Sequence, residues 1–467
     1  MKNRQMLQLF CFFSLLSAGA LLSPPIRTAI SEEKLPVYRL EDCLRTASER
    51  NARILQARRD IGIADGQKLQ ALSGYVPQLS AEAGYTYLDN IDTYETDEGE
   101  LPLNLHDNYE VSLLLEQNLY QGGEILAGIK AAGYYQDYTD SGLKEVINDV
   151  SFEIKRLFYL LLLQKNIVSV RADTLRHMED YLKITEQKYE QGTASEFDLI
   201  TARVRVANSR PPLIKAENRV DILKTSLARE MGIDLPEFTI SGELTYLPFH
   251  SNLPDLSRIG REHRPLLRQV DLEEKILEQL YNASYAGYQP RLSVFASYLG
   301  NRPQSGLPPD DKFEFEWQAG ATLSWNLFDG LMTPGKVKEA EEQYEKARVI
   351  TADTVRSVLL EIKQSFLDLE AARKSLLAQR ETVGQAERAY RIARVRWENG
   401  ISTSLELTDA ELNLSEARVM YLDSLAAWKI SRARVERAVG VNLDARGKIL
   451  IEDENGRGES TIDSKET

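Results

Sequence analysis

The chain states one pattern twice. From Asn118-Leu119 to Gly232 it superimposes without a gap on Asn326-Leu327 to Gly440, and the offset is constant: 326 − 118, 400 − 192 and 440 − 232 each give 208. Matched residues are spread along the whole length. They include Glu153-Ile154-Lys155 with Glu361-Ile362-Lys363, Phe158 with Phe366, and Ala202 and Arg210 with Ala410 and Arg418. Upstream the match continues at a second offset, Pro77 with Pro290 (290 − 77 = 213), and the change falls in a loop, where insertions cost least. A unit of about two hundred residues is too long for a solenoid repeat. It calls for two equivalent structural halves, and a catalytic site is not the natural product of such a duplication.

The 467 residues have room for two or three domains on length alone. Lys2 and Arg4, the apolar stretch from Leu7 to Leu16 and the small residues Ala18-Gly19-Ala20 read as a secretory signal over residues 1–20. Cys11 lies in that stretch with no lipid-attachment pattern before it. Cleavage would leave Cys43 as the only thiol, so no internal disulfide is expected. The formal net charge of −14 becomes −16 without Lys2 and Arg4, which argues against a nucleic-acid partner. Beyond the signal, the longest strongly apolar run, Leu157 to Leu163, is far below the roughly 20 residues of a spanning helix. An exported chain of this kind is soluble or crosses a membrane as a barrel.

Each half reads as short helix, strand, loop, strand, long helix, turn, long helix. The strands, at about 78–89, 108–120, 291–299 and 313–328, alternate with period 2. Leu79, Ala81, Ala83, Tyr85 and Tyr87 alternate with Ser80, Glu82, Gly84 and Thr86; Phe315, Trp317, Ala319, Ala321 and Leu323 alternate with Glu316, Gln318, Gly320 and Thr322. A half-buried soluble sheet would show the same alternation. Length of about 10 residues and carboxylates on the polar face favour a transmembrane barrel with a watery lumen. The loops at 90–107 and 300–312, rich in Asp, Gly and Pro, then face the cell exterior. Four strands cannot close a barrel, since membrane barrels begin at about eight. Copies of the chain must pool their strands.

The long helices, 123–190 and 331–398, would each be near 100 Å at roughly 1.5 Å per residue. Turns at Gln191-Gly192 and Asn399-Gly400 reverse the chain into return helices of about 195–231 and 403–439. Phe197, Ile200, Val204, Ala207, Pro211 and Ile214 follow a 3-4 spacing and predict the coiled-coil seam of the first return helix; Leu407, Ala410, Leu414, Ala417 and Tyr421 predict that of the second. Pro211-Pro212 predicts a kink or break there. The helices ahead of each first strand, about 52–72 and 265–285, have the length to stack end to end on the shorter return helices. The units are then residues 21–232 and 261–440, joined by a linker at 233–260 and followed by a polar tail at 441–467.

These residues resemble the TolC-type outer-membrane efflux protein family over nearly the whole exported chain. The resemblance rests on the two tips, Lys188 to Leu199 and Arg396 to Leu407, and on the corners Asn118 to Gly122 and Asn326 to Gly330. It implies a mainly helical chain with transmembrane β-strands. In such a homotrimer a twelve-stranded barrel in the outer membrane continues as a twelve-helix α-barrel in the periplasm. It implies a passive exit duct, set in outer-membrane lipid and served by an inner-membrane pump and a periplasmic adaptor. It also implies a gate of acidic rings just past the second tip, where Glu406 and Asp409 stand at i, i+3 on one helix face. Either could equally be part of a solvated helix face. In the first half Asp198 matches Glu406 but Thr201 stands opposite Asp409, which favours the second hairpin as the gating one. A basic latch found in some members is replaced by Ser402. The tips Gly192-Thr193-Ala194-Ser195 and Gly400-Ile401-Ser402-Thr403 are where the resemblance places adaptor docking, and they also fit plain turn and capping chemistry.

No enzyme is expected. Gly330 to Lys336 nearly spells a phosphate loop, but Val337 stands where a magnesium-binding Ser or Thr belongs. His106, His177, His250 and His263 have no zinc-ligand spacing, so neither metal nor cofactor is expected. The rival reading, a soluble periplasmic coiled-coil adaptor or scaffold, leaves the duplicated strands unexplained.

Overall fold

The computed structural model describes residues 35–96, 99–234, 238–303, 309–443, 450–452 and 458–461; the signal-like segment 1–20 and most of 444–467 lie outside them. The elements of the first unit are β1 (Val37–Tyr38), α1 (Leu40–Arg50), α2 (Ala52–Ser73), β2 (Gln78–Tyr87), β3 (Thr93–Thr96), β4 (Gly99–Pro102), β5 (Asp107–Gln121), α3 (Glu124–Glu190) and α4 (Glu196–Met231). Then follow β6 (Thr239–Ile240), α5 (Leu253–His263), α6 (Pro265–Ser284), β7 (Arg291–Arg302), β8 (Glu314–Ser324), α7 (Met332–Glu398), α8 (Ser404–Val439), β9 (Leu450–Glu452) and β10 (Gly458–Thr461). Helix α5 starts 213 residues after α1 (253 − 40), so the second unit begins inside the segment read as a linker. The loop between β2 and β5 holds a hairpin of its own, β3 with β4.

The four long strands form one open antiparallel sheet in the order β2-β5-β7-β8. Register puts Leu79 opposite Leu115, Ala81 opposite Leu113, Leu113 opposite Tyr298 and Tyr298 opposite Trp317, so one face is apolar from edge to edge. That face is bare: Leu79, Trp317 and Leu323 are 72%, 77% and 69% exposed. The other face pairs Glu82 with Ser112 and lines up Glu110, Asn301 and Glu314. Strand β8 stops at Ser324, short of the expected 328. Its counterpart β5 continues to Gln121 because β7 pairs with it there; β8 has nothing on its outer side.

Both long helices hold 67 residues and both return helices 36. Each return helix meets, end to end, the helix that precedes the first strand of its own unit. The Asn51 side chain, capping α2, donates to the Glu230 carbonyl at 2.8 Å, and Arg264, at the start of α6, donates to the Arg437 carbonyl. Two repeat-equivalent cores sit at this equator. Val150, Ile154, Leu161, Leu227 and Met231 are buried in one; Val358, Ile362, Leu369, Val435 and Val439, each 208 positions later, are buried in the other. Most of the Leu157–Leu163 run thus belongs to the first of these cores, which also holds Cys43, its thiol pushed up to about 12 chiefly by burial.

Side by side the helices run α4-α3-α8-α7 toward the tips and α2-α3-α6-α7 nearer the sheet. The seam of α8 is the expected one, with Leu407, Leu414 and Ala417 buried. The seam of α4 is not. Leu199, Ala202, Val206, Ala216, Leu223 and Leu227 are buried, whereas Phe197, Ile200, Val204 and Ile214 are 77%, 52%, 51% and 53% exposed. Helix α4 carries two apolar stripes, and the one read from the sequence faces away from α3. Pro211-Pro212 does not break α4, which runs unbroken through both. The lost amide donors would have bonded the Ala207 and Asn208 carbonyls, which lie on the exposed side of α4, while the opposite stripe stays packed.

Candidate gate and docking tips

The two tips sit side by side because α3 packs on α8 just above them, through His177 to Glu411 and Thr174 to Ser415. At the first tip Gly192 adopts φ +72°, and the Thr193 and Ala194 amides donate to the Lys188 carbonyl at 2.8 and 3.2 Å. Ser195 caps α4. Its Oγ accepts from the Asp198 amide at 3.2 Å, while the Asp198 carboxylate accepts from the Ser195 hydroxyl at 2.7 Å and amide at 3.1 Å. The hydroxyl first, and the amide second, hold Asp198 below the usual carboxylate range.

The second tip has the same backbone and a different outcome. Gly400 adopts φ +70°, and the Ile401 amide donates to the Arg396 carbonyl at 2.8 Å. Thr403 caps α8 by accepting from the Glu406 amide at 3.3 Å, but Glu406 returns no bond to its cap. Its carboxylate instead lies 3.9 Å from Arg396 on α7, both about half exposed. One turn on, Asp409 lies 3.9 Å from Arg205 of α4 and is 57% exposed at its side chain. Glu406 and Asp409 therefore have separate cationic partners, one in their own hairpin and one in the other. At 3.9 Å these are loose ion pairs, worth about 0–1 kcal/mol each. Among the docking residues Gly192, Thr193, Ser195, Gly400, Ile401 and Thr403 are exposed, while Ala194 and Ser402 are half-buried.

Sequence reasoning missed four residues here: Arg205, Arg396, Lys188 and Trp397. The Lys188 ammonium sits 4.5 Å above the Trp397 ring, whose other neighbour is the Tyr181 ring at 5.7 Å, so the ends of α3 and α7 are joined. The duplication itself held a signal for one of them, since Arg205 stands against Asn413 at the 208 offset. The phosphate-loop-like stretch is a helix start: the Thr333 amide and hydroxyl donate to Asp329, and Gly335 lies inside α7. Among the described residues no cluster of three or more His, Cys, Asp or Glu is placed to hold a metal, and no helix is long and apolar enough to cross a membrane.

A family model described as outer membrane efflux protein matches residues 43–232 and 256–441, one segment in each half of the chain. The chain belongs to the outer membrane efflux protein family. TolC of Escherichia coli K12 is similar at 21% identity over 387 residues, covering 79% of this chain and 76% of TolC. OprJ of Pseudomonas aeruginosa is 24% identical over 205 residues; this match spans 44% of the chain and 40% of OprJ. The CmeC outer membrane channel of Campylobacter jejuni superimposes with a TM-score of 0.73 at 15% identity, covering 86% of this chain and 85% of CmeC. VceC of Vibrio cholerae gives 0.69 at 18% identity, covering 86% and 96%. The structural likeness establishes the fold. The chain is an outer-membrane protein of an efflux family.

Proposed function

We propose that the protein is a passive, homotrimeric export duct. In this reading a twelve-stranded barrel stands in outer-membrane lipid above a twelve-helix tube in the periplasm. One observation carries the proposal: three layers stop one neighbour short at the same boundary. The sheet ends at β8 with β2 free at its other edge, the lower wall runs from α4 to α7, and the upper wall from α2 to α7. Inside the chain the two repeats join as β5 to β7, α3 to α8 and α3 to α6. Repeating those joins between copies pairs β8 with β2, α7 with α4 and α7 with α2 of the next copy. Such a heterologous contact closes as a ring. Three copies supply twelve strands, enough for a membrane barrel. The bare apolar sheet face then meets lipid, the carboxylate-bearing face lines water, and the exposed α4 stripe is covered. A soluble adaptor offers no use for that apolar face.

Glu406 and Asp409, repeated three times, form acidic rings that gate the periplasmic end and draw cations. The exposed turns Gly192 to Ser195 and Gly400 to Thr403 receive a periplasmic adaptor, which connects the duct to an inner-membrane pump. The test uses the repeat offset. Thr174 and Ser415 touch at 2.9 Å inside the chain, and 208 positions away their counterparts are Thr382 and Ala207. A chain with Ala207→Cys and Thr382→Cys is expected to give a covalent three-chain band on oxidation, from envelope fractions enriched in outer membrane. Only single-chain bands, or recovery in soluble periplasm, would sink the ring.

A further inference from the structure

The repeat offset transfers contacts as well as elements. In the second hairpin Arg418 pairs with Glu387 at 3.1 Å, and 208 positions earlier Arg210 pairs with Glu179 at 3.4 Å in the first. Where the two halves meet, the transferred groups are left open. Lys155 of α3 donates to Glu436 of α8 at 2.7 Å and to Asn442 just beyond it at 2.8 Å, and the ion pair is 13% and 12% exposed. The counterparts of these residues are Lys363, Ala228 and Asp234. The carboxylate lost where Glu436 becomes Ala228 returns where Asn442 becomes Asp234, so the set keeps one cation and one anion. Yet Lys363 and Asp234 are exposed, with no hydrogen bond or ion pair among the described residues. The tip repeats the pattern. Lys188 of α3 lies over the Trp397 ring of α7 at 4.5 Å, and the counterparts are Arg396 and Tyr189, again a cation and a ring. Tyr189 is 43% exposed, and the Arg396 guanidinium has only its 3.9 Å approach to Glu406.

We propose that these open groups are the contacts by which the chain recognises a second copy of itself: Lys363 pairs with Asp234 of the next copy at the equator, and Arg396 stacks on Tyr189 of the next copy at the tip. The proposal rests on the trimeric reading. In that ring α7 meets the next copy's α4 as α3 meets α8 inside the chain, which brings each cation to its counterpart. The equatorial site is nearly dry inside the chain, and an ammonium docked in such a site without its carboxylate is costly. A neighbour with no acid at that height leaves Lys363 uncompensated, so the pair favours this chain's own copies over other partners. The two contacts lie at different heights and differ in kind. A neighbour displaced by one helical turn, about 5.4 Å, loses both, so together they fix the register of the wall.

A carbodiimide couples a lysine ammonium to a carboxylate that it touches. Applied to the full-length protein in nanodiscs, it is expected to give a peptide joining Lys363 to Asp234 in two- and three-chain bands and none in the one-chain band. Lys363→Asp and Asp234→Lys each set like charges face to face. Each is expected to raise the concentration at which detergent-extracted trimers dissociate by about tenfold or more. Both substitutions in one chain exchange the charges and are expected to restore it to within about threefold. At the tip, Tyr189→Phe is expected to be silent. Tyr189→Ala and Arg396→Ala each weaken the trimer about threefold, and together no more than either alone. Suppose the Ala207→Cys, Thr382→Cys chain gives its three-chain band. A missing Lys363–Asp234 peptide, or folded single variants that the exchange does not rescue, then overturns the equatorial pair and leaves the ring standing. Where a variant fails to fold, the peptide from the natural chain decides. Additive losses at the tip overturn the stack. Absence of the three-chain band overturns the ring and both contacts with it.

Discussion

The two halves of the chain share a skeleton to the residue and differ in how they are locked. At the equator the first half caps α2 with neutral Asn51. The second half places there a guanidinium, Arg264, 3% exposed, against Glu145 at 2.9 Å and Glu361 at 3.6 Å. Burial pushes Glu145 up despite the nearby guanidinium, a sign of how dry the spot is. At the tips the order reverses. The first hairpin is closed on itself by the Ser195–Asp198 box, while the second leaves Glu406 unattached to its cap, 3.9 Å from Arg396. A duplicated fold can thus be rigid in one copy and poised in the other without any change of backbone.

The equatorial contrast predicts the largest effect. Arg264→Ala takes from the buried Glu145 its guanidinium at 2.9 Å, while Glu361 keeps Arg437 at 3.6 Å, and is expected to cost about 3–5 kcal/mol, whereas Asn51→Ala costs about 1 kcal/mol, the ordinary loss of a cap. Thermal unfolding followed by helical circular dichroism ranks the two, and equal losses would remove the distinction between the halves. At the tips, Asp198→Ala is expected to cost about 1 kcal/mol locally, and Glu406→Ala next to nothing, because only Asp198 bonds its own cap. Amide exchange at the starts of α4 and α8 measures this. The conductance contrast runs the other way. Glu406→Ala with Asp409→Ala is expected to raise conductance and weaken block by multivalent cations, with Asp198→Ala inert; unchanged block removes the pair from the gate. A double-mutant cycle between Arg205 and Asp409 is expected to return only about 0.2–1 kcal/mol, as for other exposed pairs.

The smallest effect is a matter of pH. Asp198 is held below its ordinary value when folded, so its contribution is complete above the unfolded carboxylate value near pH ~4 and is lost as acid takes the pH down through the depressed one. The first turn of α4 is expected to fray in that window. The first turn of α8, capped by the non-titrating Thr403, stays put. Fraying of both turns together would mean that the box is not the cause.

Much of this was legible from the chain alone. The long helices read as 123–190 and 331–398 run from Glu124 to Glu190 and from Met332 to Glu398, because the turns at Gly192 and Gly400 end them and Ser195 and Thr403 then cap the return helices. The α4 seam was misread for a physical reason. Two stripes of equal period lie on one helix, and periodicity does not say which of them meets α3 within the chain. The end of β8 was misread for the same reason, since its last residues lack a partner strand within the chain. At the tip, spacing located Glu406 and Asp409 but not Arg205 or His177, whose roles depend on contacts between helices about two hundred residues apart in sequence.

The free rims of β2 and β8 also set a clock. Each offers a row of unpaired amides and carbonyls beside a bare apolar face, the arrangement most prone to pairing with the wrong strand. In the ring proposed above, a lone protomer is a short-lived species that must find its own kind before it finds anything else. Its persistence depends on how many sister chains are nearby. If the chain assembles as proposed, abundance during biogenesis governs survival as much as any contact within the finished fold.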